Sequence, residues 1–130
     1  MTPKFRVVGI VVQDMATSLA FYRRLGFDLP AKADGEPHVE YELAGGLKVA
    51  WDTVATVESF TPGYHRPKES GIGLAFECDS PAEVDNSYDT LVAAGAVGER
   101  KPWDAFWGMR YASLLDPDGY GIDLFANLSG

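Results

Sequence analysis

Short β-branched runs alternate along this chain with segments whose apolar positions recur every three or four residues. The first run, "FRVVGIVV", predicts a buried strand that Gln13 and Asp14 interrupt. Asp14 suits a helix N-cap. Met15, Leu19, Tyr22 and Leu25 follow at helical spacing, Arg23 and Arg24 sit near the end where the helix dipole favours them, and Gly26 supplies a stop. The same grammar returns at mid-chain. There "GIGLAFEC" alternates as a strand, Asp79 or Ser80 caps, Pro81 suits the first turn, and Glu83 can close a capping box with Ser80. Val84, Tyr88, Leu91 and Val92 make the apolar stripe of the second helix, and Gly95 ends it.

The two copies lie roughly 65 residues apart, half the chain. After the first helix come the strand-like pieces "FDLPAKA", "HVEYELA" and "LKVAWDT", the last two joined by a hairpin turn at Gly45-Gly46. After the second come "AVGERKPW", "FWGMRYASLL" and "YGIDLF", with a turn at Pro117-Asp118-Gly119. The predicted order is β-α-β-β-β twice, an α+β class. It gives a single domain over residues 1–130, made of modules at about residues 4–56 and 70–127 and a connecting loop at about 57–69. That loop, in "ESFTPGYHRPKES", is rich in Pro, Gly and polar residues and reads as lacking regular structure.

Composition narrows the partners. The formal charge of -8, with no run of Lys or Arg, leaves no electrostatic footprint for nucleic acid or anionic lipid. No stretch is long enough to span a bilayer, and the N-terminal apolar run lacks a small-residue cleavage site. The lone Cys78, inside "GLAFEC", reads as a core thiol rather than a nucleophile and suits a reducing cytoplasm.

"VVGIVVQDMATSLAFYRRLGF", followed near the end by "DPDGYGIDLF", resembles the vicinal oxygen chelate superfamily of glyoxalases, extradiol dioxygenases, fosfomycin-modifying enzymes and bleomycin-resistance proteins. The resemblance covers nearly the whole chain and is more specific for fold than for function. It implies two βαβββ modules forming a cupped mixed sheet with helices outside, a ligand site inside the cup, and a homodimer. In metal-dependent members four His or Glu positions point into the cup. By strand they fall on Val7, Ala50, Gly73 and Asp123, and three of these offer no side-chain donor. A shift of register presents Asp52 instead of Ala50 and still leaves only two carboxylates. His38 begins a strand and His65 lies in the loop; surface or structural duty stands beside ligation for each. No metal and no cofactor are expected. Asp123 either hydrogen-bonds a bound molecule, or is neutralised by a neighbour such as Arg110, or is held by local backbone donors.

Strand alternation places Gly9, Val11, Lys48, Asp52, Ala75, Glu77, Gly121 and Phe125 on the same side as those four positions. Val8, Ile10, Val12, Val49, Leu74, Phe76, Ile122 and Leu124 face the helices, as does Trp51. Glu40 and Glu42 face either the cup or solvent. A small, smooth floor without a metal favours a broad, flat ligand, walled by Trp103, Phe106, Trp107, Met109, Arg110 and Tyr111 with Phe60, Tyr64 and His65. Trp103 and Trp107 lie in "KPWDAFWGM", which reads as loop, and dimer packing is their rival role. The expected ligand-binding set is completed by His38, Ala50, Asp52 and Asp123.

The expected function is non-catalytic sequestration of a planar aromatic natural product, such as a glycopeptide antibiotic, a mitomycin or an anthraquinone-fused enediyne, for self-resistance. The rival is an enzyme of the same fold, glyoxalase-, dioxygenase- or isomerase-like, with an unusual metal set or with Asp123 or Glu77 as a base. A protein-interaction module is the third reading.

Overall fold

A computed structural model describes residues 2–128 of the chain. The chain falls into two compact units, Met1–Pro67 and Lys68–Gly130, and the fold is α+β, with two mixed sheets of three and four strands and three helices among the described residues.

In the first unit the β-branched run forms β1 (Val7–Val12) and leads into α1 (Met15–Arg24). Asp14 caps that helix by accepting from the Thr17 N–H at 3.0 Å. Gly26, at φ 99°, turns the chain out of it in the left-handed region where glycine carries no Cβ penalty. The strand expected at "FDLPAKA" is absent, and Ala31–Gly35 is a 3-10 helix instead. Arg23 explains the difference. Its guanidinium donates to the carbonyls of Leu29 (2.8 Å) and Pro30 (2.9 Å) and to Asp34 Oδ1 (2.8 Å). Pro30 has no N–H, so this segment can neither accept nor donate along a ladder. The first module therefore contributes β2 (His38–Glu42) and β3 (Lys48–Thr53), joined through Gly45 and Gly46, both at φ 89°. β3 is central, parallel to β1 and antiparallel to β2.

The expected loop at 57–69 also begins later than read, because α2 spans Val54–Phe60. Thr53 caps it through the Thr56 N–H at 3.2 Å. At seven residues with none buried, α2 has no apolar stripe for periodicity to detect.

The second unit follows the predicted order: β4 (Gly73–Glu77), α3 (Pro81–Ala93), β5 (Val97–Asp104), β6 (Met109–Leu115) and β7 (Gly121–Asn127). The strands lie in the order β4-β7-β6-β5, with only the β4–β7 pair parallel. Ser80 is the cap, accepting from the Glu83 N–H at 3.2 Å, while the Glu83 carboxylate reaches back to the Asp79 N–H at 3.1 Å. Val84, Tyr88 and Leu91 are buried on α3, but Val92 is exposed, so the apolar stripe is narrower than predicted. Asp116 Oδ1 accepts the N–H groups of Asp118 (2.8 Å) and Tyr120 (2.9 Å) and sets the tight turn into β7.

The alternation read from sequence is visible in both sheets, although Val8, Leu74 and Phe76 are only half-buried and Ala50, expected on the open floor, is itself buried. Ile10, Val12, Val49, Trp51, Ile122 and Leu124 are buried, and Trp51 packs edge-on against Tyr22 (5.4 Å between centroids) and Phe27 (5.6 Å). Hydrophobic burial on the helix-facing side leaves the opposite face of each sheet to carry chemistry.

Candidate functional site

In the first unit, that opposite face is ordered by strand register. His38 pairs with Asp52, Glu40 with Ala50, and Glu42 with Lys48, while Gly9 lies across from Ala50 on β1. His38 bridges two carboxylates, with Nδ1 at 2.5 Å from Asp52 Oδ1 and Nε2 at 2.9 Å from Glu40 Oε2. Lys48 Nζ donates to Glu40 at 3.3 Å. The bond to Glu40, then that to Asp52, raises the His38 pKa above its ordinary value, because both carboxylates favour the imidazolium. Glu40 is held below the usual carboxylate range by His38 first and Lys48 second.

The sign of the linkage follows. A histidine whose folded pKa exceeds its unfolded one adds stability that is complete below the unfolded value and is lost as pH rises through the folded value. His38→Gln is expected to flatten the change in urea midpoint between pH 6 and pH 8. An unchanged pH profile would show that the bridge contributes nothing.

In the second unit the corresponding face collects aromatic rings. The register sets Trp103 across from Tyr111, and Tyr111 across from Phe125. Trp107 lies edge-on to Trp103 (5.5 Å), Phe106 (4.8 Å) and Tyr111 (5.3 Å), and Tyr111 stacks on Phe125 at 6.3 Å. Phe106 is 85% and Trp107 47% exposed. Such apolar exposure within a few residues of one another marks a binding surface more often than a core. Trp103 itself is in β5, not in a loop as the sequence suggested; only the turn around Phe106 and Trp107, closed by Gly108 at φ 90°, is irregular. β5 is an edge strand whose register slips between Arg100 and Trp103, which is how it accommodates Pro102.

Asp123 sits one row along the same face. Its Oδ2 accepts from the Tyr111 hydroxyl at 2.7 Å and its Oδ1 from the Ser113 hydroxyl at 2.8 Å. The expected neutraliser Arg110 is elsewhere. It alternates to the helix side, where it grips Asp85 through two nitrogens (2.8 and 3.1 Å) and Asp104 through a third (2.9 Å). These partners, Asp85 first, raise its pKa further. Nor do backbone donors hold Asp123; two side-chain hydroxyls do. Burial, then the bond to Asp123, pushes the Tyr111 phenol up to about 12.

Among the six tyrosines, Tyr111 is expected to ionise late in an ultraviolet alkaline titration. Its raised pKa makes stability fall as pH climbs from the ordinary phenol range toward that value. Asp123→Asn should bring the late phase earlier; an unchanged titration would show the contact to be absent in solution.

The remaining site residues divide between the units. Phe60 is exposed at the end of α2, Tyr64 half-buried, and His65 exposed with a long contact to the Gly63 carbonyl (3.4 Å). They belong to the first unit with His38, Ala50 and Asp52. Met109, Trp103, Trp107, Tyr111 and Asp123 belong to the second. Sequence reasoning missed Ser113 and Arg100 as site residues. Strand parity, which placed Phe125 on the face of Asp123, could have put Ser113 there too. Arg100, whose guanidinium carbon lies 3.8 Å from the Trp103 ring centroid, gave no local signal. Burial raises the Cys78 thiol, in keeping with an unreactive core position.

The four positions that bind metal in metal-dependent relatives do not fit a cation. Val7, Ala50 and Gly73 offer no side-chain donor, which leaves Asp123 as a single carboxylate where a bound cation needs several ligands. His38 does not supply the deficit, since its two ring nitrogens face different carboxylates rather than a common centre. Among the described residues no group of three or more His, Cys, Asp or Glu side chains is placed to hold a metal ion, and no helix is long and apolar enough to cross a membrane.

Comparison with known proteins agrees with this architecture. Among solved structures, the chain is similar to a glyoxalase-related enzyme from Fulvimarina pelagi, at 23% identity and a TM-score of 0.80 over 97% of this chain and 89% of that one. It is similar to a glyoxalase/bleomycin resistance protein/dioxygenase family enzyme from Burkholderia phytofirmans PsJN, at 20% identity and 0.79 over 97% and 100% of the two chains. A third, a glyoxalase/bleomycin resistance protein/dioxygenase from Nocardioides, matches at 26% identity and 0.72 over 100% and 87%. No curated protein matches the chain. Residues 4–124 match the family model for the Glyoxalase/Bleomycin resistance protein/Dioxygenase superfamily, and with two mixed sheets built in the vicinal oxygen chelate manner the chain belongs to that superfamily.

Proposed function

We propose that this protein binds and sequesters a planar aromatic small molecule, of the kind represented by flat polycyclic antibiotics, without transforming it. The observation that carries this reading is the run of rings Trp103, Trp107, Tyr111 and Phe125, on one sheet face and the turn beside it, each within 6.3 Å of the next along the run and partly open to solvent. Rings held edge-on by their neighbours lose little freedom when a flat ligand stacks on them, so each contact contributes roughly 0.5–1.5 kcal/mol beyond area burial. At about 0.3 kcal/mol per non-hydrogen atom, a ligand of about thirty such atoms reaches about 9 kcal/mol, or sub-micromolar affinity. That suffices for a stoichiometric sponge.

Chemistry at the same place has less support. Acid–base chemistry would also need a partner acid beside Asp123, and the two hydroxyls that meet it, Tyr111 and Ser113, give their protons to Asp123 itself. The reading includes pairing of two chains, as the family resemblance implies; sedimentation at the mass of one chain at micromolar concentration would remove that part of it.

Titration with planar antibiotics, followed by quenching of the Trp fluorescence, should saturate at a fixed ratio, with the ligand recovered unchanged. Recovery of an altered ligand would replace sequestration with catalysis.

A further inference from the structure

The second sheet also specifies which planar ligand it favours. A hydroxyl has one hydrogen. Tyr111 and Ser113 each give theirs to Asp123, so on this face the three side chains present only lone pairs. Their strand neighbours add no side-chain donor, since Ala75 lies across from Asp123, and Gly73 and Gly121 pair in the next row. In the row of Tyr111 and Phe125, β4 contributes Glu77, a second and exposed carboxylate.

The local cations are engaged elsewhere. Arg110 is on the helix side with Asp85 and Asp104. Arg100 lies over the Trp103 ring, with its guanidinium carbon 3.8 Å from the centroid. Among the described residues no Lys, Arg or His forms an ion pair with Asp123. A carboxylate without a counter-charge, bonded to the Tyr111 hydroxyl and one row from the Tyr111–Phe125 ring pair, selects a ligand that brings both hydrogen-bond donors and positive charge. Arg100 on Trp103 illustrates the preference, with a flat, delocalised cation already seated on a ring of this cluster.

We infer that the ligand is a cationic aromatic, a planar ring system carrying a protonated amine or amidinium whose N–H groups are read by Asp123 with Tyr111 and Ser113, an inference that rests on the binding proposed above. A neutral flat molecule would stack on the same rings but leave the acceptors facing water or ring carbon. An anionic one would be repelled by Asp123 and Glu77.

A matched pair of probes tests this by calorimetry at pH 8: 9-aminoacridine, which is protonated there, and acridine, the same ring system in neutral form. The wild-type protein is expected to bind 9-aminoacridine about tenfold or more tightly than acridine, and Asp123→Asn should reduce that ratio to about twofold. Equal wild-type affinities, or a ratio that survives Asp123→Asn, would overturn the cationic preference while leaving stacking of planar ligands in place. Failure of both probes to bind would overturn the sequestration reading and this inference together. Chemical-shift mapping of the wild-type protein requires no variant. Shifts at Tyr111, Ser113 and Asp123 with 9-aminoacridine support the inference, and shifts confined to other residues overturn it.

Discussion

Replacing Trp51 with alanine is expected to destabilise the protein by about 3–5 kcal/mol, the range for emptying a large aromatic from a packed core. Trp51 has 0% exposure and lies at the centre of the first unit, edge-on to Tyr22 and Phe27. Phe27 in turn meets Tyr41 at 4.9 Å, so the indole joins α1, the chain after it, and the sheet. Neighbours tied to one another in this way cannot collapse into the vacated volume, which puts the cost toward the upper part of the range. Trp51→Phe is expected to cost far less. The indole Nε1 is buried without a hydrogen-bond partner, and phenylalanine removes that unsatisfied donor along with the lost area. Urea unfolding followed by circular dichroism measures both variants. A loss below about 1 kcal/mol for Trp51→Ala would mean that Trp51 is not the centre of this core.

Trp107→Ala is expected to weaken binding of a planar ligand by tenfold or more while moving stability by less than about 1 kcal/mol. The two effects separate because Trp107 is half exposed, in the turn between β5 and β6, and yet touches the rings of Trp103, Phe106 and Tyr111. Removing it deletes one stacking surface and frees the orientation of three others. Each tenfold loss corresponds to about 1.4 kcal/mol, within reach of two aromatic contacts. Calorimetric titration of wild type and variant with 9-aminoacridine, alongside their urea midpoints, checks the pair of outcomes. Unchanged affinity would place the ligand elsewhere, and a large drop in stability would reassign Trp107 to structure.

Much of the architecture was legible before any coordinates. Asp14 and Ser80 as caps, Gly26 and Gly95 as stops, the Gly45-Gly46 hairpin, and the alternation that buries Ile10, Val49, Ile122 and Leu124 are all local. The backbone hydrogen bonds and side-chain periods behind them span only a few residues, so a short window of sequence contains the cause. The strand expected at "FDLPAKA" failed because its cause was not local in that sense. Arg23, on the preceding helix, claims carbonyls six and seven residues ahead, and no propensity at Leu29 or Pro30 announces it.

The candidate site divides the same way. Residue type and parity brought Trp103, Trp107, Tyr111 and Asp123 into consideration, and showed that Val7, Ala50 and Gly73 lack the donors to coordinate a cation. Sequence by itself thus determined most of the elements and their order, the apolar face of each sheet, and the poverty of metal donors, but not the 3-10 helix at Ala31–Gly35 or the α-helix at Val54–Phe60. Only the tertiary structure decided that Asp123 meets Tyr111 and Ser113 rather than Arg110, that His38 bridges Asp52 and Glu40, and that Arg100 lies on Trp103. Those contacts depend on the register between strands and on the reach of long side chains across them. A shift by one residue would turn every such partner to the other face while leaving the local pattern of each strand intact.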